Sequence, residues 1–374
     1  MKAFLILGAG RQGVAIADGL KRLDPSYHVA LLDNSQTALD SAERGFDEYV
    51  ISDEWIPTLK SRPWSVVISA LPYRFNEQAA KASIDIGLRF LDLGGHSQTT
   101  KAVNDYAFSK KGTVATDQGL APGLMNILAW DRVRFSRYRH SIDSVEIYCG
   151  GLPVKTPEET LNAYNYYPSF SAAGLVNEYL NEITILKDGR LIPIPGQLFV
   201  DKSPIFMIKS GAGSALSLNL EAFRTSGVTT RQFLFNMSRA GVSSVDYRTL
   251  RYPGHVRAVS TALVAARRKT PSPEKQRDLL AKILTNACEP PGGAFDDFII
   301  GRVDLGKDGK VLETQDMIIV PQNGYTAMQV ATGYSAATVA SLMATGRLDG
   351  GPITYQKISE AGFMAEAEAL NFLS

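Results

Sequence analysis

The sequence predicts an α/β protein with a Rossmann-type, doubly wound parallel sheet, followed by an α+β domain with an antiparallel sheet. Short apolar runs alternate with helical patterns over the first 120 residues, and a glycine-rich hexamer follows the first run. After about residue 145, hairpin signals replace this alternation. With 374 residues, the chain is long enough for two or three domains that each bury a core.

The composition excludes several classes of protein. Lys and Arg number 39 against 38 Asp and Glu, so the net charge of +1 offers no excess of positive charge to a nucleic acid. Hydrophobic residues make up 45% and charged residues 21%, which are globular values, so long disorder is not expected. The expected partner is therefore a small molecule.

The cysteine content and the hydropathy of the sequence indicate the cellular compartment. Cys149 and Cys288 are 139 residues apart with no histidine near either, so neither a metal site nor a disulfide framework is predicted. The run 3–7 is too short for a signal peptide. The charge-free stretch 317–346 is too polar for a membrane helix and is interpreted as a strand end followed by a buried helix. A cytoplasmic protein without a membrane segment is expected.

Six apolar runs predict the strands of the first domain, residues 1–125. They are residues 3–7, 29–32, 49–51, 66–69, 90–93 and 113–115. Between the fourth and fifth runs, a helix is expected with Asn76 as its N-cap and Gly87 just past its end. Another helix over 100–111 is expected to stop at Gly112.

The remaining chain predicts a different architecture. Asp188-Gly189 and Asp308-Gly309 each lie between apolar runs and predict tight hairpins. One amphipathic helix is expected over 272–287, and two more over 326–345 and 360–373. We expect an α+β domain over 126–322 and C-terminal helices over 323–374.

The hexamer Gly8-Ala9-Gly10-Arg11-Gln12-Gly13 matches the dinucleotide fingerprint GxGxxG in its proper context, between a strand and a helix. Gly8 permits the tight turn, Gly10 lets a pyrophosphate approach the backbone, and Gly13 allows close packing of helix on sheet. The helix N-terminus offers unpaired N–H groups to the phosphates. Arg11 either reaches a phosphate or is an exposed charge over it. The alternative to dinucleotide binding is a purely structural turn.

Asp33 lies 20 residues after Gly13, at the end of the second run, where a carboxylate binds a ribose 2′-hydroxyl. Asn34 and Ser35 follow, so no arginine is present to accept a 2′-phosphate. NAD is therefore predicted in preference to NADP.

Residues just after the other strands are expected to face the ligand, because open α/β sheets bind ligands at the carboxyl ends of their strands. Ala70, Leu71 and Pro72 follow the fourth run and are expected beside the adenine or the nicotinamide. Asp117 follows the sixth run, where it either lines the nicotinamide pocket or caps the turn.

Several motifs together resemble the saccharopine dehydrogenase-like family, and within it the lysine 6-dehydrogenase branch. Besides the fingerprint with Asp33, they are segments 91–96, 117–126, 149–153, 169–179, 220–227 and 248–255. Arg224 is a departure, because that branch has a histidine at the corresponding position.

The resemblance implies NAD(P)-dependent oxidation at a C–N bond of a lysine-like amino acid or of an adduct such as saccharopine. It also implies that the second domain supplies a substrate wall and a homodimer surface. The C-terminal helices are expected to return to the first domain.

This chemistry needs a base, because the amine nitrogen must lose a proton before hydride can leave the adjacent carbon. His96, Asp92 and Asp117 are the candidates at the strand ends, and Tyr73 is a further one. His96 titrates nearest to neutral pH, although a structural role is equally compatible with the sequence. Asp92 is expected to orient groups or accept hydrogen bonds.

An amino-acid carboxylate needs a cation, which arginine provides with two parallel hydrogen bonds. If 245–252 is a strand, Arg248 and Arg251 point to opposite faces. We expect Arg251, with His255 beside it, to bind substrate, and Arg248 to lie on the other face or in an ion pair. Arg224 is a further substrate-binding candidate.

The leading hypothesis is NAD-dependent oxidative deamination of lysine at its side-chain amine. A saccharopine-type dehydrogenase is the first alternative, because Arg224 could bind a second carboxylate arm. A protein that binds the dinucleotide as a sensor, without catalysis, is the second.

Overall fold

The computed structural model describes residues 1–42, 45–154, 162–168, 171–196, 198–209, 215–288 and 296–373. The chain divides into two compact units. The first unit contains Met1–Arg134, Gln322–Tyr325 and Gln329–Ser374, and the second contains Phe135–Pro321 and Thr326–Met328. The C-terminal segment thus belongs to the same unit as the N-terminal strands.

The first unit is built on a six-stranded parallel sheet. Its strands are β1 (Ala3–Leu7), β2 (His28–Asp33), β3 (Glu48–Ile51), β4 (Val66–Ser69), β5 (Phe90–Asp92) and β6 (Val114–Ala115). Their order is β3-β2-β1-β4-β5-β6, which is that of a Rossmann fold. β1 and β4 are buried along their whole length, as expected for strands covered on both faces. The predicted fold class is confirmed.

Helices connect these strands. They are α1 (Arg11–Leu23), α2 (Gln36–Ser41), α3 (Ile56–Lys60), α4 (Asn76–Asp85), α5 (Ser97–Lys110) and α6 (Leu124–Phe135), with a 3₁₀ turn at Tyr73–Phe75. Asn76 is the first residue of α4 instead of its N-cap, and its side chain accepts a hydrogen bond from Ser69 at 2.8 Å. The helix over 100–111 was expected to stop at Gly112. In the structure α5 is ended one residue earlier by Lys111, which has the left-handed φ of +57°. A Cβ on Gly112 would lie 2.7 Å from Ile84, so close packing explains this glycine.

The second unit contains a larger, mixed sheet. Its strands, together with a separate pair, are β7 (Ser144–Pro153), β8 (Ile183–Lys187), β9 (Arg190–Ile194), β10 (Val200–Lys202), β11 (Ile205–Lys209), β12 (Ala215–Asn219), β13 (Glu221–Arg224), β14 (Ser244–Arg251), β15 (Asp297–Lys307) and β16 (Lys310–Ile319). The sheet runs β10-β13-β14-β7-β15-β16. β8 pairs with β14, β9 pairs with β8, and β11 and β12 form a separate pair. β14 and β7 are parallel, so the predicted antiparallel sheet is in fact mixed.

Both predicted hairpins form. Asp188 and Gly189 turn β8 into β9 with φ values of +50° and +73°, and Asp308 and Gly309 turn β15 into β16 with +51° and +73°. The described residues of the unit also form the helices α7 (Ala172–Leu180), α8 (Arg231–Arg239), α9 (His255–Lys269) and α10 (Pro273–Ala287). One core cluster combines residues of α7, α9 and α10 with Phe223 of β13.

The C-terminal helices are α11 (Ala327–Ala344), α12 (Tyr355–Glu360) and α13 (Phe363–Glu368). The predicted single helix over 360–373 is wrong, because Gly362, with φ +87°, separates α12 from α13. α11 packs tightly on α1, since a Cβ on Gly333 would lie 2.6 Å from the Ala15 side chain. No helix in the described ranges combines the length and the apolar character needed to cross a bilayer.

Gly13 shows why the first turn of α1 needs its glycines. A Cβ on Gly13 would lie 1.9 Å from the carbonyl oxygen of Gly8, whereas a Cβ on Gly10 would meet nothing within 4 Å. Gly8 itself has φ +101°, and its Cβ position is 3.2 Å from the Ala70 backbone. Packing therefore fixes Gly8 and Gly13, while Gly10 leaves space beside the backbone.

We predict that Gly13→Ala lowers the free energy of unfolding by about 3 kcal/mol, because helix and strand must separate to admit the methyl group. Gly10→Ala is the matched control and is expected to change it by no more than about 0.5 kcal/mol. Denaturant unfolding followed by circular dichroism measures both. Equal losses in the two variants would contradict the packing argument.

Candidate functional site

The glycine loop at the end of β1 is tied to the end of β2 by Asp33. One carboxylate oxygen of Asp33 accepts the backbone N–H of Ala9 at 2.8 Å, and the other accepts that of Ser35 at 2.9 Å. Each oxygen keeps a further lone pair. Gly10 is the N-cap of α1 and makes no side-chain cap hydrogen bond, so the N–H groups at this helix terminus are uncapped within the described ranges.

The other predicted nucleotide-binding residues surround this loop. Arg11 and Asn34 are exposed, and the backbone of Ala70 lies against Gly8. Leu71 and Pro72 lead from β4 into the 3₁₀ turn. The amide oxygen of Gln12 is buried without a hydrogen-bond partner in the described part of the chain. The open space at Gly10, the uncapped helix and the oriented carboxylate of Asp33 fit a dinucleotide.

Asp92 and Asp117 form a buried carboxyl pair at the carboxyl edge of the same sheet. Asp92 ends β5 and is 1% exposed; Asp117 follows β6 and is 5% exposed. One oxygen of Asp92 accepts the backbone N–H groups of Gly94 at 2.8 Å and of Asp117 at 3.0 Å. The Oδ1 atom of Asp117 accepts the hydroxyl of Thr100 at 2.8 Å.

The local sequence makes this close approach possible. Gly94 and Gly95 have φ values of +82° and +121°, and a Cβ on Gly94 would lie 2.4 Å from the Asp117 carboxyl oxygen. Asp117 has φ +60°, a conformation that Asp adopts more readily than most residues. From α12, the Tyr355 hydroxyl donates to the Asp117 carbonyl at 3.1 Å.

The pair holds a proton near neutral pH. Burial raises the pKa of Asp92 to about 6, although its two backbone N–H donors oppose the rise. Burial and the charge of Asp92 together raise the pKa of Asp117 to about 7, against the hydrogen bond from Thr100. No Lys or Arg of the described residues lies within ion-pair distance of either carboxyl group. The Oδ2 atoms of both residues also have no hydrogen-bond partner within the described ranges.

Tyr73 and His96 lie at the same edge. Their rings are stacked, with centroids 5.2 Å apart and planes at 18°. The Nδ1 atom of His96 is 3.3 Å from the Thr99 hydroxyl. Both side chains are half-exposed, in contrast to the two aspartates. The fold thus brings all four predicted acid–base candidates to one edge of the sheet.

Two residues of this edge were not predicted from the sequence. Thr100 lies in α5, four residues after His96. This helical spacing is a weak indication in the sequence that the Thr100 side chain lies at the same edge. Tyr355 is 238 residues from Asp117, and no local pattern could have placed it there.

In the second unit, Arg251 is a buried cation whose direct contacts are neutral groups. Its guanidinium lies 4.3 Å from the ring centroid of Tyr166 and 5.8 Å from that of Tyr179. Its Nε donates to the Tyr179 hydroxyl at 3.0 Å and its Nη1 to the Leu250 carbonyl at 2.8 Å. No carboxylate of the described residues lies within ion-pair distance of Arg251.

His255 supports this arrangement from α9. The carbonyl of Tyr164 can only accept, so its 2.7 Å contact places a proton on Nδ1 of His255. The Nε2 atom then accepts the Tyr179 hydroxyl at 3.0 Å. Burial, and secondarily the charge of Arg251, lower the pKa of His255 to about 3, so the ring is neutral. Both of its nitrogens are engaged within the protein, and it fixes Tyr179 against Arg251.

Arg224 and Arg248 share two carboxylates. Arg224 contacts Asp246 at 2.6 Å and Asp201 at 3.1 Å. Arg248 contacts Asp201 at 2.9 Å and Asp246 at 3.0 Å. Arg248 is thus ion-paired, which was one of its two predicted placements. The same carboxylates balance the charge of Arg224, which was expected to be available to substrate.

The chain is similar to a known protein family and to curated relatives. The family model for the saccharopine dehydrogenase C-terminal domain matches residues 119–367. The mitochondrial alpha-aminoadipic semialdehyde synthases of Bos taurus and Rattus norvegicus are 25% and 27% identical over 267 and 268 residues, 69% of this chain. The chain spans only 28% of the length of either relative.

Among solved structures, apo saccharopine dehydrogenase (L-Glu forming) from Saccharomyces cerevisiae has a similar fold. Its TM-score is 0.69 at 18% identity, and the match covers 100% of this chain and 99% of the yeast chain. At that identity the likeness extends to the fold.

The carboxyl pair predicts a pH-dependent effect of Asp117→Asn on stability. The folded-state pKa of Asp117 exceeds its ordinary value of 3.8, so between pH 4 and 7 the folded state binds more protons than the unfolded state. The free energy of unfolding of the wild type therefore falls as pH rises through this window. Asn cannot ionise and tolerates positive φ. The free energy of unfolding of the variant is therefore expected to increase relative to that of the wild type as pH rises, by an amount on the order of a few kcal/mol at pH 8.

Denaturant unfolding of both proteins at pH 4.5, 6, 7 and 8 measures this difference. Parallel pH profiles for the two proteins would show that Asp117 is not protonated in the folded state at neutral pH.

Proposed function

Because the chain belongs to the saccharopine dehydrogenase family, whose members are amino-acid oxidoreductases acting on CH–NH groups, we propose that it is an NAD-dependent dehydrogenase of a basic amino acid. The proposed reaction oxidises lysine at its side-chain amine to the semialdehyde. The observation that carries this proposal is the buried pair of Asp92 and Asp117, at the same sheet edge as the dinucleotide fingerprint.

The fingerprint supports the choice of coenzyme. Bound NAD would supply the hydride acceptor. Gly10 and the first turn of α1 would hold its pyrophosphate, and Asp33 would accept the ribose 2′-hydroxyl. A 2′-phosphate at Asp33 would meet a negative charge, which favours NAD over NADP.

The carboxyl pair supports the proton chemistry. The reaction converts R–CH₂–NH₃⁺, water and NAD⁺ to R–CHO, NH₄⁺, NADH and H⁺, so the nitrogen must be deprotonated before hydride leaves the carbon. A group whose pKa is near 7 exchanges protons at low cost at neutral pH, and the pKa of Asp117 lies there. Asp117 is the proposed proton acceptor, and Asp92 raises its pKa by charge repulsion. His96 and Tyr73 are half-exposed at this edge and are proposed to contact substrate or water.

Arg251 supports an amino-acid substrate. A buried guanidinium without a carboxylate in direct contact is costly, and the α-carboxylate of the substrate would supply one. Saccharopine carries an additional dicarboxylate arm and would need a further cation. Arg224, the candidate for that role, is already engaged by Asp246 and Asp201, so lysine is favoured. The family is named for saccharopine dehydrogenase, which keeps saccharopine as the second candidate substrate.

We predict that the purified protein reduces NAD with lysine, with kcat/KM at least ten-fold higher than with saccharopine and at least ten-fold higher with NAD than with NADP. NADH absorbance over a panel of lysine, ornithine, cadaverine and saccharopine measures this. Asp117→Asn is expected to lower kcat about 100-fold or more. Asp105→Asn, which changes an exposed carboxyl group on α5, is the matched control and is expected to keep wild-type rates.

Turnover of saccharopine without turnover of lysine would assign the protein to the second candidate reaction. Calorimetric binding of NAD without turnover of any member of the panel would contradict catalysis and indicate a dinucleotide sensor.

A further inference from the structure

Glu178 on α7 carries a half-buried carboxylate whose role the proposed chemistry leaves open. Its Oε1 atom accepts the hydroxyl of Thr249 at 2.6 Å and that of Thr225 at 3.1 Å. Both threonines are buried, and their hydroxyl oxygens are 2.8 Å apart. The Oε2 atom has no hydrogen-bond partner in the described part of the chain, and no Lys or Arg of that part lies within ion-pair distance. The carboxylate is thus held through one oxygen, with the other left for a ligand.

Glu178 and Arg251 belong to one cluster of the second unit. Tyr179 follows Glu178 in α7 and hydrogen-bonds Arg251, and Thr249 lies two residues before Arg251 in β14. Both charges also act on the buried thiol of Cys149, whose pKa is raised to about 12 mainly by burial. Glu178 and Arg251 are not within ion-pair distance of each other, although the charge of Glu178 helps to raise the pKa of Arg251. Neither charged group therefore has its counter-charge in direct contact.

A ligand that carries both charges would give each of these groups a counter-charge in direct contact. An α-amino acid presents a carboxylate, which suits a guanidinium, and an ammonium group with three donors, which suits the free oxygen of Glu178. The hydroxyl oxygens of Thr225 and Thr249 are further acceptors for those donors. A simple diamine lacks the carboxylate, and an ω-amino acid without an α-amine lacks this ammonium.

We propose that Glu178 binds the α-ammonium group of the substrate and, together with Arg251, selects α-amino acids. This subsite rests on the proposed function. The amine that reacts is not the group bound by Glu178, because a carboxylate stabilises the protonated form and would oppose the deprotonation that hydride transfer needs. Glu178 therefore binds the amine that stays charged throughout the reaction.

Glu178→Gln tests the charge while it keeps an acceptor for the two threonine hydroxyls. The ligands are lysine and 6-aminohexanoate, which is lysine without its α-amine. Wild type is expected to prefer lysine at least ten-fold in kcat/KM. In the variant, KM for lysine is expected to rise about 10- to 100-fold with kcat little changed, while KM for 6-aminohexanoate and for NAD stays within two-fold. Glu182→Gln, which changes an exposed carboxyl group just after α7, is the matched control and is expected to leave every parameter unchanged.

Equal losses for lysine and 6-aminohexanoate, or a loss confined to kcat, would overturn the subsite and give Glu178 a structural role. Equal use of the two ligands by wild type would overturn it without any variant. If neither ligand yields NADH, the proposed function fails, and calorimetry in the presence of NAD then tests the subsite separately. Lysine binding that is lost in Glu178→Gln would support it, and lysine binding that is absent in wild type or unchanged in the variant would overturn it.

Discussion

The chemistry proposed for the edge of the N-terminal sheet depends on the burial of two carboxyl groups, Asp92 and Asp117. No cation of the described residues lies within ion-pair distance of either. Two ionised carboxylates in such a place repel each other and lose hydration, so one of them keeps a proton at neutral pH. The backbone enforces the arrangement, because Asp92 accepts the N–H of Asp117 and Gly94 leaves no room for a Cβ beside the Asp117 carboxyl group. The carboxyl group at position 117 therefore requires a glycine at position 94.

In the second unit, the charged groups are arginines, and they are stabilised in two different ways. Arg251 is stacked on Tyr166 and held by Tyr179, which His255 fixes in turn through a neutral, singly protonated ring. Arg224 and Arg248, on neighbouring strands, are instead neutralised by shared aspartates. This contrast supports the proposal that Arg251 binds a ligand, whereas Arg224 and Arg248 stabilise the sheet.

The sequence predicted most of what depends on local pattern. The parallel sheet, the roles of Gly8 and Gly13, and the two Asp-Gly hairpins each follow from strand periodicity or backbone sterics. What depends on tertiary contacts was missed: Tyr355 reaches Asp117 from α12, and Asp246 and Asp201 occupy Arg224. The break at Gly362 was also missed, because helical spacing of apolar residues continues across it.

Carboxyl ¹³C NMR of protein labelled at aspartate tests the central claim most directly, by following Asp92 and Asp117 from pH 4 to 9. Each signal is assigned by its absence in the matching Asp→Asn variant. The account predicts two coupled titrations displaced upward, with the later one near pH 7. Titration of both groups near pH 4 would contradict it.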